Sequence, residues 1–254
     1  MAAVELDQLV AYLDGYLNIA DYSDAPGAHN GLQVENNGRV SNVVACTDAC
    51  QATIDAAVEL GADLMIVHHG LFWGPGVTPL TGRAYRRIKP LIEHDIAVYS
   101  SHIPLDAHLE VGNNAELARG IGLQELKPFG EYEGREIGYR GATEADRQEV
   151  ERRLAELLGV DPFVIPGGPE RVSQVGVVTG GAGGLIGQAR DAGLDTFITG
   201  EGAHYTYFDA EEWGINVFYA GHYATETLGV KALAAHVAER FALEWRFVDH
   251  PTGL

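Results

Sequence analysis

Apolar residues at Leu6, Leu9, Val10, Leu13 and Leu17 follow a helical rhythm and predict an opening amphipathic helix. Val40 to Cys46, VSNVVAC, reads as a β-branched strand, and Ala52, Ala56 and Leu60 mark the helix after it. A short strand of buried type, DLMIV (Asp63 to Val67), runs straight into His68 and His69. Beyond a long loop punctuated at Pro79 to Gly82, the pattern predicts a helix around Ala84 to His94 and a strand over Ile96 to Ser101. Strands alternating with helices imply an α/β fold whose mainly parallel sheets are covered on both faces.

From Leu123 to Arg171 the rhythm is poorer: a strand near Glu136 to Gly141 and a helix near Glu144 to Leu158 stand among glycines and charges. The pattern then resumes with a strand (Val172 to Thr179), the turn GGAGG, a helix (Leu185 to Ala192) and strands at Thr196 to Thr199 and Ile215 to Tyr219. A long amphipathic helix is expected from Tyr223 to about Phe241, with Val230, Leu233, Val237 and Phe241 on one face. The second half thus repeats the order of the first. Gly61, Asp63, Ile66 and Gly70 match Gly193, Asp195, Ile198 and Gly202 at a constant step of 132. His102 and Asp106 match His222 and Glu226 at a step of 120, which fits a longer loop in the first half. One internal duplication accounts for these matches. The expectation is therefore two similar α/β lobes, 1–125 and 126–254, with the C-terminal helix returning to the first lobe and a site in the cleft.

Charge narrows the function. With 17 Lys+Arg against 36 Asp+Glu, the formal net charge is −19, which repels phosphate backbones and anionic lipid. The chain therefore looks unsuited to nucleic acid, and its acid excess resembles that of salt-adapted proteins. No apolar run has the length of a membrane span, and the N-terminus carries acids where a signal peptide has bases, so a cytoplasmic location is expected. Cys46 and Cys50 match no thiolate metal or redox spacing and read as core residues.

Three strand ends carry candidate chemistry. His68 and His69 close a strand at its carboxyl end, where open α/β sheets keep their ligand crevices. Their side chains diverge, so both serve one site only if the chain turns, as Gly70 permits. A buried histidine beside an exposed one is the plainer alternative. In SSHIPLDAH, Pro104 is expected to keep Ile103 extended and so leave His102 and Asp106 on a loop, where Asp106 could equally cap a helix. His222 and Glu226 stand one turn apart in YAGHYATETLGVKAL, a spacing that grips one ion, although a dipole-favoured Glu and a capping His share that spacing. Mixed imidazole and carboxylate groups suit two divalent ions among Zn, Fe, Mn, Co and Ni, which would activate water as a nucleophile. Glu201 and His204 in TGEGAHY are candidates to line the same cleft, and GGAGG (180–184) reads as a tight turn rather than a phosphate loop.

The stretches NGLQVE (30–35), DLMIVHHGLFW (63–73), YSSHIPLDAH (99–108), ITGEGAHYTYFDA (198–210) and YAGHYATETLGVKAL (219–233) resemble the NIF-three-like family in its short form. Its members are called GTP cyclohydrolase I type 2 homologues. The resemblance implies five metal ligands, His68, His69, Asp106, His222 and Glu226, with His102 close by either as a catalytic group or as a support behind the ligands. It also implies a homohexamer built as a trimer of dimers. A metal-dependent hydrolase of a nucleotide or related small molecule is the first functional reading, and a non-enzymatic metal-handling or regulatory ring is the second.

Overall fold

The computed structural model describes residues 3–74 and 79–254, so part of the long loop after Trp73 lies outside the described residues. The chain divides into two compact units, Met1–Leu105 with Val230–His250 and Asp106–Gly229 with Pro251–Leu254. In chain order, β1 (Val4–Glu5) leads into α1 (Leu6–Tyr16), β2 (Gly31–Val34), β3 (Arg39–Val40), β4 (Asn42–Asp48) and α2 (Gln51–Glu59). There follow β5 (Leu64–His69), α3 (Gly82–Glu93), β6 (Ala97–Ser100), α4 (Ile103–Ala107) and α5 (Asn113–Gly120). Next come β7 (Gln124–Tyr132), β8 (Arg135–Asp146), α6 (Arg147–Leu158), β9 (Phe163–Pro166), β10 (Arg171–Val177) and α7 (Ile186–Asp191). The chain finishes with β11 (Thr196–Thr199), α8 (Tyr205–Trp213), β12 (Asn216–Tyr219), α9 (His222–Thr225), α10 (Thr227–Phe241) and β13 (Glu244–Phe247).

The first unit holds a five-stranded sheet in the order β13-β4-β5-β6-β2. Four of these strands run parallel, and β2 is antiparallel at the edge. Nearly every residue of β4 and β5 is buried, which explains their unbroken apolar runs: a strand covered on both faces has no polar side to show. Cys46, Ile54, Met65, Leu91 and Val98 pack one face. Leu9, Leu13 and Leu17 are buried to within 1% of full cover, as the opening helical rhythm requires.

The second unit holds a six-stranded sheet in the order β7-β8-β10-β11-β12-β9. Only β10–β11 and β11–β12 pair in parallel; β7–β8, β8–β10 and β12–β9 are antiparallel. Mainly parallel sheets were expected, and both sheets are instead mixed. The reason lies in 123–171, which supplies the hairpin β7–β8 and the strand β9 rather than a plain connection. Pro128 hides β7 from a sequence reading, but β7 is an edge strand, where a missing N–H is tolerated.

One anchoring device occurs in both units. Ser41 N–H, Ser41 O–H and Asn42 N–H all donate to Asp63 Oδ2, at 2.8, 2.7 and 2.9 Å. Ser173 N–H, Ser173 O–H and Gln174 N–H donate in the same way to Asp195 Oδ2, at 2.9, 2.6 and 2.9 Å. Each aspartate ties the start of one parallel strand to the start of its neighbour, fixing the register that carries side chains to the other strand ends.

Three local expectations need correction. Asp106 lies on α4 rather than on a loop, because Pro104 occupies the helix's first turn, where its missing N–H costs nothing. The single helix expected over 223–241 breaks at Glu226, whose backbone adopts φ −101° and ψ 5° between α9 and α10. Cys46 is fully buried, and burial pushes its thiol up to about 12, but Cys50 is only half-buried, as the N-cap of α2. Among the described residues no helix is long and apolar enough to cross a membrane.

Candidate metal centre

In the first unit, β5 delivers His68 and His69 at its carboxyl end, and His102 follows β6, the strand beside it. The ring centroid of His68 lies 4.7 Å from that of His69 and 4.9 Å from that of His102. One nitrogen from each of the three lies within 4.8 Å of the others, so they form a group able to hold a metal ion.

Each ring is fixed through Nδ1. His68 Nδ1 is 2.9 Å from the Ser101 carbonyl, and a carbonyl only accepts, so Nδ1 carries the proton and Nε2 the lone pair. His69 Nδ1 meets Asp48 Oδ1 at 2.8 Å, and His102 Nδ1 meets Asp24 Oδ1 at 2.6 Å. Burial works against the charge on Asp24. Hydrogen bonds from His102, Asn30 and the Ala25 N–H nevertheless hold its carboxyl below the ordinary value. Asn30 also accepts the His102 backbone N–H at 2.7 Å, so the loop before β2 clamps His102 twice. Gln33, in the same NGLQVE stretch, accepts the Leu71 N–H at 2.7 Å and lies against Gly70. A Cβ at position 70 would strike the Gln33 amide, so Gly70 is there for close approach as much as for the turn.

In the second unit, His222 begins α9 and Glu226 ends it. His222 Nε2 lies 3.3 Å from Glu226 Oε2, and its Nδ1 lies 2.8 Å from Glu201 Oε1, just past β11. The hydrogen bond to Glu226 outweighs burial and, with the help of Glu201, raises the His222 imidazole to about 9. Glu226 is 3% exposed. Gly180, at φ +68°, lies so close that an added Cβ would collide with Glu226 Oε1. The GGAGG turn therefore serves close packing on this carboxylate.

Asp106, 5% exposed, is braced differently. Its Oδ1 accepts from Asn113 Nδ2 at 2.9 Å and from the Thr179 hydroxyl at 3.3 Å. Asn113 in turn accepts the Gly229 N–H at 2.6 Å, and Asn114 accepts the Thr179 N–H at 2.6 Å. Sequence reasoning missed Asp24, Asp48, Asn113, Asn114 and Thr179. The double Asn of GNNAEL and the polar residues closing apolar strands were the available signals. His204 stands apart from these groups: it is exposed at the N-cap of α8, and its ring meets Phe208.

The donor set fits divalent cations. Four histidines have Nδ1 on an oxygen acceptor, and the carboxylates of Asp106 and Glu226 are buried. This pattern of anchored rings is characteristic of metal-binding histidines. The fold is that of a two-unit α/β protein, with histidine and carboxylate groups that could hold a metal ion.

The chain belongs to the Duf34/NIF3 (NGG1p interacting factor 3) family, whose model matches residues 4–252. A Deinococcus radiodurans protein named GTP cyclohydrolase 1 type 2 homolog is 44% identical over 98% of this chain and 94% of its own length. A Halobacterium salinarum protein of the same name is 42% identical over 99% of this chain and all of its own. The crystal structure of TTHA1606 from Thermus thermophilus matches with a TM-score of 0.91 at 45% identity, covering 99% of this chain and 100% of that one.

Proposed function

We propose that this chain binds two divalent metal ions through His68, His69, Asp106, His222 and Glu226 and acts as a metal-dependent hydrolase of the GTP cyclohydrolase 1 type 2 kind. The observation that carries this reading is the shared Nδ1 anchoring of His68, His69 and His222, together with the burial of the Asp106 and Glu226 carboxylates. Two cations would supply Lewis acidity and activate water near neutral pH.

The protein's own groups set the conditions for that chemistry. Asn113 and Thr179 orient Asp106 by donating to it. His102, gripped at Nδ1 by Asp24, offers Nε2 to accept or return a proton beside the ring of His68. The names of the relatives make GTP the first substrate to try, with formate the product of opening the guanine imidazole ring. The matched Asp63 and Asp195 cradles support an internal duplication behind the two units. A homohexamer, as a trimer of dimers, belongs to the same reading. Exposed Tyr205, Tyr207 and Phe208 on α8 supply an apolar face of the kind that such assemblies cover.

The test is formate release from GTP by purified protein of measured metal content. Metal-replete protein is expected to release formate, chelation to stop it, and zinc, manganese or iron to restore it. Metal-replete protein that yields no formate from GTP or other nucleotides contradicts the hydrolase and favours the metal-handling reading.

A further inference from the structure

The lock on each imidazole is built from the strand next door. Asp48 closes β4 and reaches His69 at the end of β5, its parallel neighbour. Glu201 lies just past β11 and reaches His222, which lies just past β12, again a parallel neighbour. Asp24 precedes β2, the antiparallel neighbour of β6, and reaches His102 beyond that strand's end. In all three pairs, sheet register brings the carboxylate to the same end of the sheet as its histidine.

An unanchored imidazole exchanges its proton between Nδ1 and Nε2 and rotates about χ2, so only part of its population presents Nε2 as a donor. A carboxylate at Nδ1 removes both freedoms and raises the basicity of the other nitrogen. Asp24 is the most committed of the three. Its side chain is 6% exposed and accepts four hydrogen bonds: from His102 at 2.6 Å, Asn30 at 2.7 Å, Ala25 N–H at 2.6 Å and Ile103 N–H at 3.1 Å. Asp48 and Glu201 are more open, at 32% and 53%.

From this geometry we infer that Asp24, Asp48 and Glu201 are positioning residues: Asp24 and Asp48 fix His102 and His69 with the proton on Nδ1 and Nε2 presented, and Glu201 holds the His222 ring at Nδ1. Asp48 and Glu201 thereby set metal affinity, and Asp24 sets the state of His102. The metal part rests on the reading that His69 and His222 are ligands; the tautomer part does not.

The experiment uses the full chain stripped by chelator, zinc as the probe, and competition against a chromophoric chelator for affinity. Asp48→Ala and Glu201→Ala are expected to bind zinc about ten- to hundredfold more weakly, with the melting temperature of the metal-free protein unchanged. Asp48→Asn and Glu201→Gln, which keep an accepting oxygen, recover part of that loss. Long-range proton–nitrogen spectra of the metal-free chain show His69 and His102 protonated at Nδ1. Asp48→Ala and Asp24→Ala convert those rings to mixtures.

Unchanged affinities and unchanged tautomers overturn the inference. So does a loss of affinity that appears only together with a lowered melting temperature and is not rescued by Asn or Gln. A parent chain that takes up no zinc sinks the metal reading, while the tautomer spectra still decide for or against the locks.

Discussion

In the first unit, Asp63 gathers two backbone N–H groups and a serine hydroxyl at the start of β4, and in the second Asp195 does the same within β10, just before its parallel pairing with β11 begins. At the opposite ends of these sheets the units part company. The first presents imidazoles, with the carboxylates Asp24 and Asp48 set behind them as hydrogen-bond acceptors. The second presents the carboxylates of Glu226 and Asp106, with one imidazole from His222. Scaffold and chemistry are thus separable: the device that sets strand register is common to both halves, and the residues it delivers are not. A strand end can exchange imidazole for carboxylate while the buried sheet beneath it keeps its pattern.

The comparison can be broken most forcefully at the cradles. Asp63→Ala and Asp195→Ala each remove one half-buried acceptor of three hydrogen bonds, and each is expected to cost about 3 kcal/mol in chemical denaturation. If one is costly and the other neutral, the two devices are not equivalent. Gly180→Ala is expected to cost about 2 kcal/mol, because it forces a side chain into the left-handed region and against Glu226. It should reduce the bound metal as well, whereas Gly184→Ala, whose added Cβ meets only the Tyr205 hydroxyl at 3.4 Å, should leave metal content unchanged.

The smallest effect is expected on α6, in the second unit. Hydrogen bonds from Arg152 and Arg153 hold the Glu149 carboxyl at about 2. A carboxylate lowered on folding stabilises the chain above its unfolded value, near 4.5, and this contribution disappears as the pH falls through about 2. Glu149 is partly exposed on the surface of α6, so Glu149→Gln should be slightly less stable at neutral pH in low salt and indistinguishable from the parent below pH 2. Acid titrations monitored by circular dichroism would check both ends.

The apolar rhythm made β4, β5, β6, β10, β11 and β12 legible because these strands are mostly buried and carry short runs of apolar and β-branched residues. Of the hairpin β7–β8 only a strand near Glu136 to Gly141, inside β8, was legible: β7, an edge strand interrupted by Pro128, offers neither an apolar run nor clean alternation. Within the candidate centre, residue type and position marked His68, His69, His222 and Glu226, since a polar group closing an apolar strand or facing inward from a helix needs a partner. Asp24 and Asp48 went unseen because a hydrogen bond to a histidine 78 or 21 residues away leaves no local pattern. The break at Glu226 was hidden as well, since nothing in TETLGV signals that a buried carboxylate will sit between two helices.

The central claim is that this polypeptide is built to hold two divalent ions. Elemental analysis of the purified full chain, equilibrated with zinc and freed of excess, tests that claim most directly. The account predicts two zinc ions per chain, with fewer in Glu226→Gln and His68→Ala; one or none in the parent protein would contradict it.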